Sequence, residues 1–140
     1  MPLASAKVLH VAAGVIVDCV GKILIAKRPD HVHQGGLWEF PGGKLDQGET
    51  VQQALCRELS EELDIVPTEY SPLIEIRHDY PDKSVLLDVW VVTKFTGEAC
   101  GKEGQKVAWV TKEELNQYDF PKANLAIIDA IQRACLASSP

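Results

Sequence analysis

Residues 43–65 read GKLDQGETVQQALCRELSEELDI, and the fold class turns on what this segment forms. Thr50 and Gln53 have the spacing of a capping box, in which two side chains satisfy the first orphan backbone N–H groups of a helix. Val51, Leu55, Leu59 and Leu63 then recur every four residues and make one apolar stripe, and Pro67 prevents continuation. At about 100° per residue, Glu58 and Glu62 fall beside Val51 and Leu55, at the edge of the stripe and not opposite it.

Those acids are badly placed for an isolated helix. Glu58 with Glu62 and Glu58 with Glu61 are like-charge neighbours, each pair costing roughly 0.2–0.5 kcal/mol. They also occupy the C-terminal half, where the helix dipole disfavours anions by about 0.3–1 kcal/mol. Two readings stand open at this level. The face is either solvated acidic surface or a set of hard oxygen ligands converging on a divalent cation such as Mg²⁺ or Mn²⁺.

Toward the N-terminus, the apolar runs Val8–Val17 and Ile23–Ala26 flank a turn at Cys19–Lys22 and predict a hairpin. Pro29–Gly36 is polar and predicts an exposed loop. Leu37–Phe40 predicts a short strand, and Pro41-Gly42-Gly43 a sharp turn. Toward the C-terminus, Leu73–Arg77 and Val85–Phe95 read as strands joined at Pro81-Asp82-Lys83, with Val107–Val110 a further strand. Thr111 with Glu114 opens a brief helix by the same capping logic. Ala123–Leu136 reads as a terminal amphipathic helix. This mixture predicts a single α/β domain over residues 1–140, a sandwich of helices around a mixed sheet.

The composition bounds the function. The chain has 140 residues, 46% hydrophobic and 24% charged, with a net charge of −6. This is the balance of a soluble globular domain. An acidic balance argues against broad nucleic-acid binding, which needs a basic face, yet a local acid cluster can recruit a cation that then holds phosphate. Cys19, Cys56, Cys100 and Cys135 form no metal-ligand pattern and are expected to be reduced apolar fillers, as in a reducing cytosol. With no signal peptide and no apolar run long enough to span a bilayer, the expected location is cytoplasmic, with no membrane partner.

The frame around the helix narrows the choice. Gly43, five residues, Glu49, seven residues, then Arg57-Glu58-Leu59-Ser60-Glu61-Glu62 resembles the Nudix box, the signature of hydrolases that split nucleoside diphosphates linked to another moiety. The resemblance implies an α/β/α sandwich and a catalytic set of Glu58, Arg57, Glu61, Glu62 and Glu103. It further implies that Glu58 and Glu62 are the principal metal ligands, with Glu61, Glu103 and the carbonyl of Gly42 completing the shell. Arg57 would hold a neighbouring glutamate, and Glu49 would steady the loop. Glu58 is the first candidate for the general base and Glu103 the second. One position departs: where the family has glycine, this chain has Asp64, which tolerates the left-handed conformation at a cost of roughly 1 kcal/mol.

Beyond the box, Trp38-Glu39-Phe40-Pro41-Gly42-Gly43-Lys44, Tyr80-Pro81-Asp82-Lys83, Gly101-Lys102-Glu103-Gly104-Gln105 and Asp119-Phe120-Pro121-Lys122-Ala123-Asn124 resemble the MutT group, the 8-oxo-dGTP diphosphatases that sanitise the nucleotide pool. That resemblance implies Asn124 as the residue hydrogen-bonding the oxidised base. It implies a pocket shaped by Phe40, Phe120 and Pro121, and nucleotide contacts from Arg28, His33, Lys44 and Lys83. Lys83 stands where the group has arginine, and the two are not equivalent at a planar site. Asn124 equally suits a helix cap, His33 an idle loop position, and Trp38 and Phe40 core or pocket wall. The activity implied is Mg²⁺-dependent hydrolysis of 8-oxo-dGTP to the monophosphate and pyrophosphate. The alternatives are a Nudix pyrophosphohydrolase for another nucleotide, such as a pyrimidine triphosphate, and a non-catalytic nucleotide- or lesion-binding domain.

Overall fold

The structure, a computed structural model, describes residues 8–31 and 35–134. Strand β1 (Val8–Val17) turns into β2 (Ile23–Lys27), with Ile16 opposite Leu24. The Asp18 carboxylate closes the turn by accepting from the backbone N–H groups of Val20 and Lys22, at 3.0 and 2.8 Å. The short β3 (Trp38–Glu39) and β4 (Gly42–Lys44) come next, pairing with β2 and β1 respectively. Helix α1 (Val51–Leu63) leads into β5 (Val66–Tyr80), β6 (Lys83–Thr96) and β7 (Val107–Val110). Helix α2 (Leu125–Arg133) is last.

The sheet order is β3-β2-β1-β6-β5, with β4 also on β1 and β7 on β2. β1 and β6 are parallel, Val8 facing Ser84 through Ile16 facing Val92. The other pairings are antiparallel, so the sheet is mixed, as expected. Alternation along the strands sorts the core into two layers. Ala13, Val15 and Val17 of β1, with Ile23 and Ile25 of β2, meet Ile127, Ile128 and Ile131 of α2. Ala12 and Ile16, with Leu24, meet Leu55, Leu59 and Leu63 of α1 on the other face. Gly14 lies under α1, where a Cβ would stand 3.3 Å from both Leu55 and Leu59. The expected sandwich is present, with α1 clamped over β1 and β4.

Several boundaries differ from expectation. β5 extends well beyond Leu73–Arg77, because its antiparallel pairing with β6 continues through irregularities near Pro67 and Pro72. The capping box at Thr111 and Glu114 forms with both bonds present, but only a 3₁₀ turn follows, Glu113–Gln117. The terminal helix is shorter than expected: a 3₁₀ turn spans Lys122–Asn124 and the chain is extended again at Ala134. Cys135 lies outside the described residues. Cys19 and Cys100 are exposed, not apolar fillers, and none of Cys19, Cys56 and Cys100 is in a disulfide.

Candidate active site

Helix α1 begins as its sequence dictates. Gln53 N–H donates to Thr50 Oγ1 at 3.1 Å and Thr50 N–H to Gln53 Oε1 at 2.9 Å. It ends at Asp64, the one described non-glycine residue with positive φ, at φ 61° and ψ 36°. The aspartate therefore adopts the left-handed conformation expected for it where the Nudix resemblance implies glycine. Between these ends the acids divide onto two flanks.

On one flank Arg57 gathers the loop before the helix. Its Nε and Nη2 donate to the two carboxylate oxygens of Glu49 at 2.7 and 3.0 Å, and Nη2 also reaches the carbonyl of Lys44 at 3.2 Å. Glu49 in turn accepts from Asp46 N–H at 2.8 Å. The hydrogen bonds from Arg57, then that from Asp46, push the Glu49 carboxyl down to about 2. From the same guanidinium, Nη1 donates to Glu58 at 3.1 Å and to Glu61 at 3.3 Å. One guanidinium thus bonds Glu49, Glu58 and Glu61 together.

On the other flank Glu62 has no cationic partner among the described residues. Glu62 is pushed up to about 9, first by burial, then by its hydrogen bond with Glu58, and then by the charges of Glu58, Glu39 and Glu103. Burial and these neighbouring carboxylates together favour the neutral form of Glu62. Glu39 is raised as well, chiefly by burial, against the pull of Arg28, whose Nη1 donates to it at 2.9 Å. The Glu58 side chain is only 18% exposed, whereas that of Glu61 is 57% exposed and turned toward Arg57. Among the described residues no three His, Cys, Asp or Glu side chains stand ready around one point.

The glycines before the helix are required by close approach. A Cβ on Gly43 would lie 2.4 Å from the Glu58 carboxylate, and one on Gly42 only 2.0 Å from the carbonyl oxygen of Ala12. Any side chain at either position would displace the carboxylate or break the β4–β1 pairing.

A cleft of about 470 Å³ opens beside this cluster, lined among others by Arg28, Glu39, Phe40, Gly42, Lys44 and Asn124. Phe40 is 5% exposed and stacks on Phe120 with ring centres 5.2 Å apart, so the two form wall and support, not free platforms. Asn124 is half-buried against the cleft and makes no capping bond, although it precedes α2. The reason is local: the 3₁₀ turn runs straight into α2, so residue 124 is already helical, whereas a cap needs extended backbone. Lys83 is exposed at the β5–β6 turn and borders an outer extension of the cleft shared by Arg28 and Tyr80. His33 lies outside the described residues.

Sequence reasoning missed Glu39 as a member of the acid cluster. A lone carboxylate between Trp38 and Phe40 was the available signal, since an acid inside an apolar strand is costly without a purpose. It also missed His78, which pairs edge-to-face with Tyr80 at 4.5 Å, both rings lining the cleft. Their i, i+2 spacing on a strand places them on one face.

The comparisons with known proteins agree with this architecture. A family model described as NUDIX domain matches residues 12–130. The chain is 39% identical over 127 residues to the 8-oxo-dGTP diphosphatase of Escherichia coli (strain K12), covering 91% of this chain and 98% of that protein. It is 37% identical over 124 residues to the CTP pyrophosphohydrolase of the same strain, covering 89% and 91%. Among solved structures it resembles MutT, from a study of the enzymes of Aliivibrio salmonicida and Vibrio cholerae, with a TM-score of 0.80 and 40% identity, covering 89% of this chain and 97% of that one. Box, sheet order and relatives converge: the chain belongs to the Nudix hydrolase family.

Proposed function

We propose that the chain is a Mg²⁺-dependent 8-oxo-dGTP diphosphatase, releasing 8-oxo-dGMP and pyrophosphate and so cleansing the nucleotide pool. One observation carries the reading: a cleft lined by Asn124 and Phe40 adjoins a group of carboxylates in which Glu62 has no cationic partner among the described residues. The relatives named for this activity supply the substrate class.

Glu58, Glu62 and the Gly42 carbonyl, with Glu61 and Glu103, are the groups that would hold the cation. They are hard oxygen donors of the kind Mg²⁺ or Mn²⁺ takes, and burial with like-charged neighbours leaves Glu62 short of positive charge. When bound, the ion neutralises the diphosphate and acidifies water. Arg57 keeps Glu58 from swinging away. Glu58 is engaged by both Arg57 and Glu62, while Glu103 has no ion-pair partner among the described residues. This makes Glu103 the better acceptor for the proton of the attacking water. Arg28, Lys44 and Lys83 line the cleft and its extension as cationic contacts for the nucleotide. His33 is assigned to the same set from the sequence. Phe40, backed by Phe120, walls the base site, and Asn124 reads the base edge.

Pyrophosphate release from 8-oxo-dGTP, dGTP, CTP and dCTP with Mg²⁺ tests the proposal. The expected kcat/KM for 8-oxo-dGTP exceeds that for dGTP by about 10²-fold or more. Asn124→Ala cuts this ratio by roughly tenfold, the worth of one buried hydrogen bond of about 1–3 kcal/mol. A preference for CTP, with Asn124→Ala neutral, transfers the assignment to a pyrimidine pyrophosphohydrolase, a reading the second relative supports. Nucleotide binding without pyrophosphate release would leave a non-catalytic domain.

A further inference from the structure

The loop that carries Glu103 is fastened to the end of α1. Cys100 N–H donates to the Leu63 carbonyl and Lys102 N–H to the Glu62 carbonyl, both at 3.0 Å. These are carbonyls a helix end leaves without an internal partner. Gly104 N–H closes the loop on the Gly101 carbonyl at 2.9 Å. Gly101 itself is packed so closely that a Cβ would lie 2.0 Å from the Gln105 carbonyl oxygen. Glycines that suggest pliancy in the sequence instead permit a tight, docked turn.

One side chain spans this junction. Gln105, half-buried, donates from Nε2 to the Glu62 carbonyl at 3.1 Å and accepts at Oε1 from the Glu103 N–H at 2.9 Å. A primary amide has both a donor and an acceptor, and here each is used on a different member of the acid cluster. We propose that Gln105 is a positioning residue, a two-armed amide strut that sets the backbone of Glu103 at a constant distance from that of Glu62. The strut matters because Glu103 is exposed and projects from a loop, where nothing else described holds its own N–H. A base displaced by an ångström loses much of its effect. The inference rests on Glu103 taking part in the reaction, as proposed above.

Three substitutions separate the arms. Gln105→Met removes both, Gln105→Glu keeps the acceptor for Glu103, and Gln105→Lys keeps a donor for Glu62. With Mg²⁺ and 8-oxo-dGTP, Gln105→Met lowers kcat by about tenfold, the scale of losing a supporting hydrogen bond behind an active group. The nucleotide KM stays within about twofold, since Gln105 is assigned no substrate contact. Gln105→Glu recovers more of the rate than Gln105→Lys. In the Glu103→Gln background, Gln105→Met adds little further loss, because coupled residues are not additive. A readout independent of turnover is hydrogen exchange in the metal-free protein: the Glu103 amide exchanges faster in Gln105→Met and not in Gln105→Glu. Wild-type kcat or unchanged Glu103 exchange in Gln105→Met overturns the strut, as does rescue by Gln105→Lys alone. If Glu103→Gln itself retains the wild-type rate, the role of Glu103 fails and the strut's catalytic purpose fails with it. An impaired Glu103→Gln beside an unimpaired Gln105→Met overturns the strut alone.

Discussion

The two flanks of α1 hold the same residue type in opposite electrostatic states. Glu49, gripped by both arms of Arg57, is pushed down to about 2, while Glu62, on the same box, is pushed up to about 9. Burial and like-charged neighbours act on Glu62, and no guanidinium touches it. Arg57 thus completes a closed set of charges that builds the loop. The face around Glu62 is left short of positive charge, and it is the part of the box proposed above to take a cation. The same guanidinium that grips Glu49 with two nitrogens reaches Glu58 and Glu61 with the third and leaves Glu62 alone.

Glu62→Gln is the strongest way to test this division. The expected loss of kcat is roughly 10²–10³-fold, on the scale of removing one charge-stabilising group from an active site. The metal-free melting temperature holds or rises, because an amide is neutral without the proton uptake that burying Glu62 requires. A large drop in that temperature would show that Glu62 is structural after all.

Arg57→Ala strikes the opposite flank. It should cost about 1–3 kcal/mol of stability in urea unfolding, the penalty for leaving hydrogen-bonded charges unpaired. It should also lower kcat about 10–100-fold through the loosened Glu58. Arg57→Lys restores only part of either, since an ammonium cannot bond both Glu49 oxygens in a fixed plane. Full rescue by lysine would mean that charge alone suffices.

Opposite pKa shifts give opposite pH dependences. Below about 4.5 Glu62 is protonated in both folded and unfolded chains, so it contributes no difference. Between 4.5 and about 9 the unfolded chain releases the proton and the native one keeps it, so metal-free stability falls as pH rises. Glu49 acts the other way: its contribution is present above 4.5 and is lost as pH falls toward about 2. Thermal unfolding from pH 5 to 9 should therefore show a decline that millimolar Mg²⁺ flattens, because a bound ion stabilises the ionised native form. A decline of equal slope with and without Mg²⁺ would break the link between Glu62 and the cation.

The smallest effect is expected at Asp64. Asp64→Gly removes a left-handed aspartate and should add up to about 1 kcal/mol. The nearby Lys102 ammonium, at 3.6 Å and exposed on both sides, opposes this weakly. The rate should be unchanged; a changed kcat would draw Asp64 into the acid flank.

The sequence by itself determined helix α1 from its cap to its stop, the hairpin before it, the two-layer core and the spacing of the box acids. These depend on near neighbours and on periodicity, which one strand or one turn of helix expresses locally. It also marked Asp64 as the residue forced into the left-handed region. Only the tertiary structure decided which acids face one another. Glu39 arrives from β3, Glu103 from the loop before β7, and the two meet Glu62 only because the sheet order brings those segments to one end of α1. The same holds for Asn124, whose side chain lines the cleft and leaves the helix uncapped because a 3₁₀ turn precedes α2. Burial and the field of distant charges are sums over the folded molecule, and no local pattern of residues contains them.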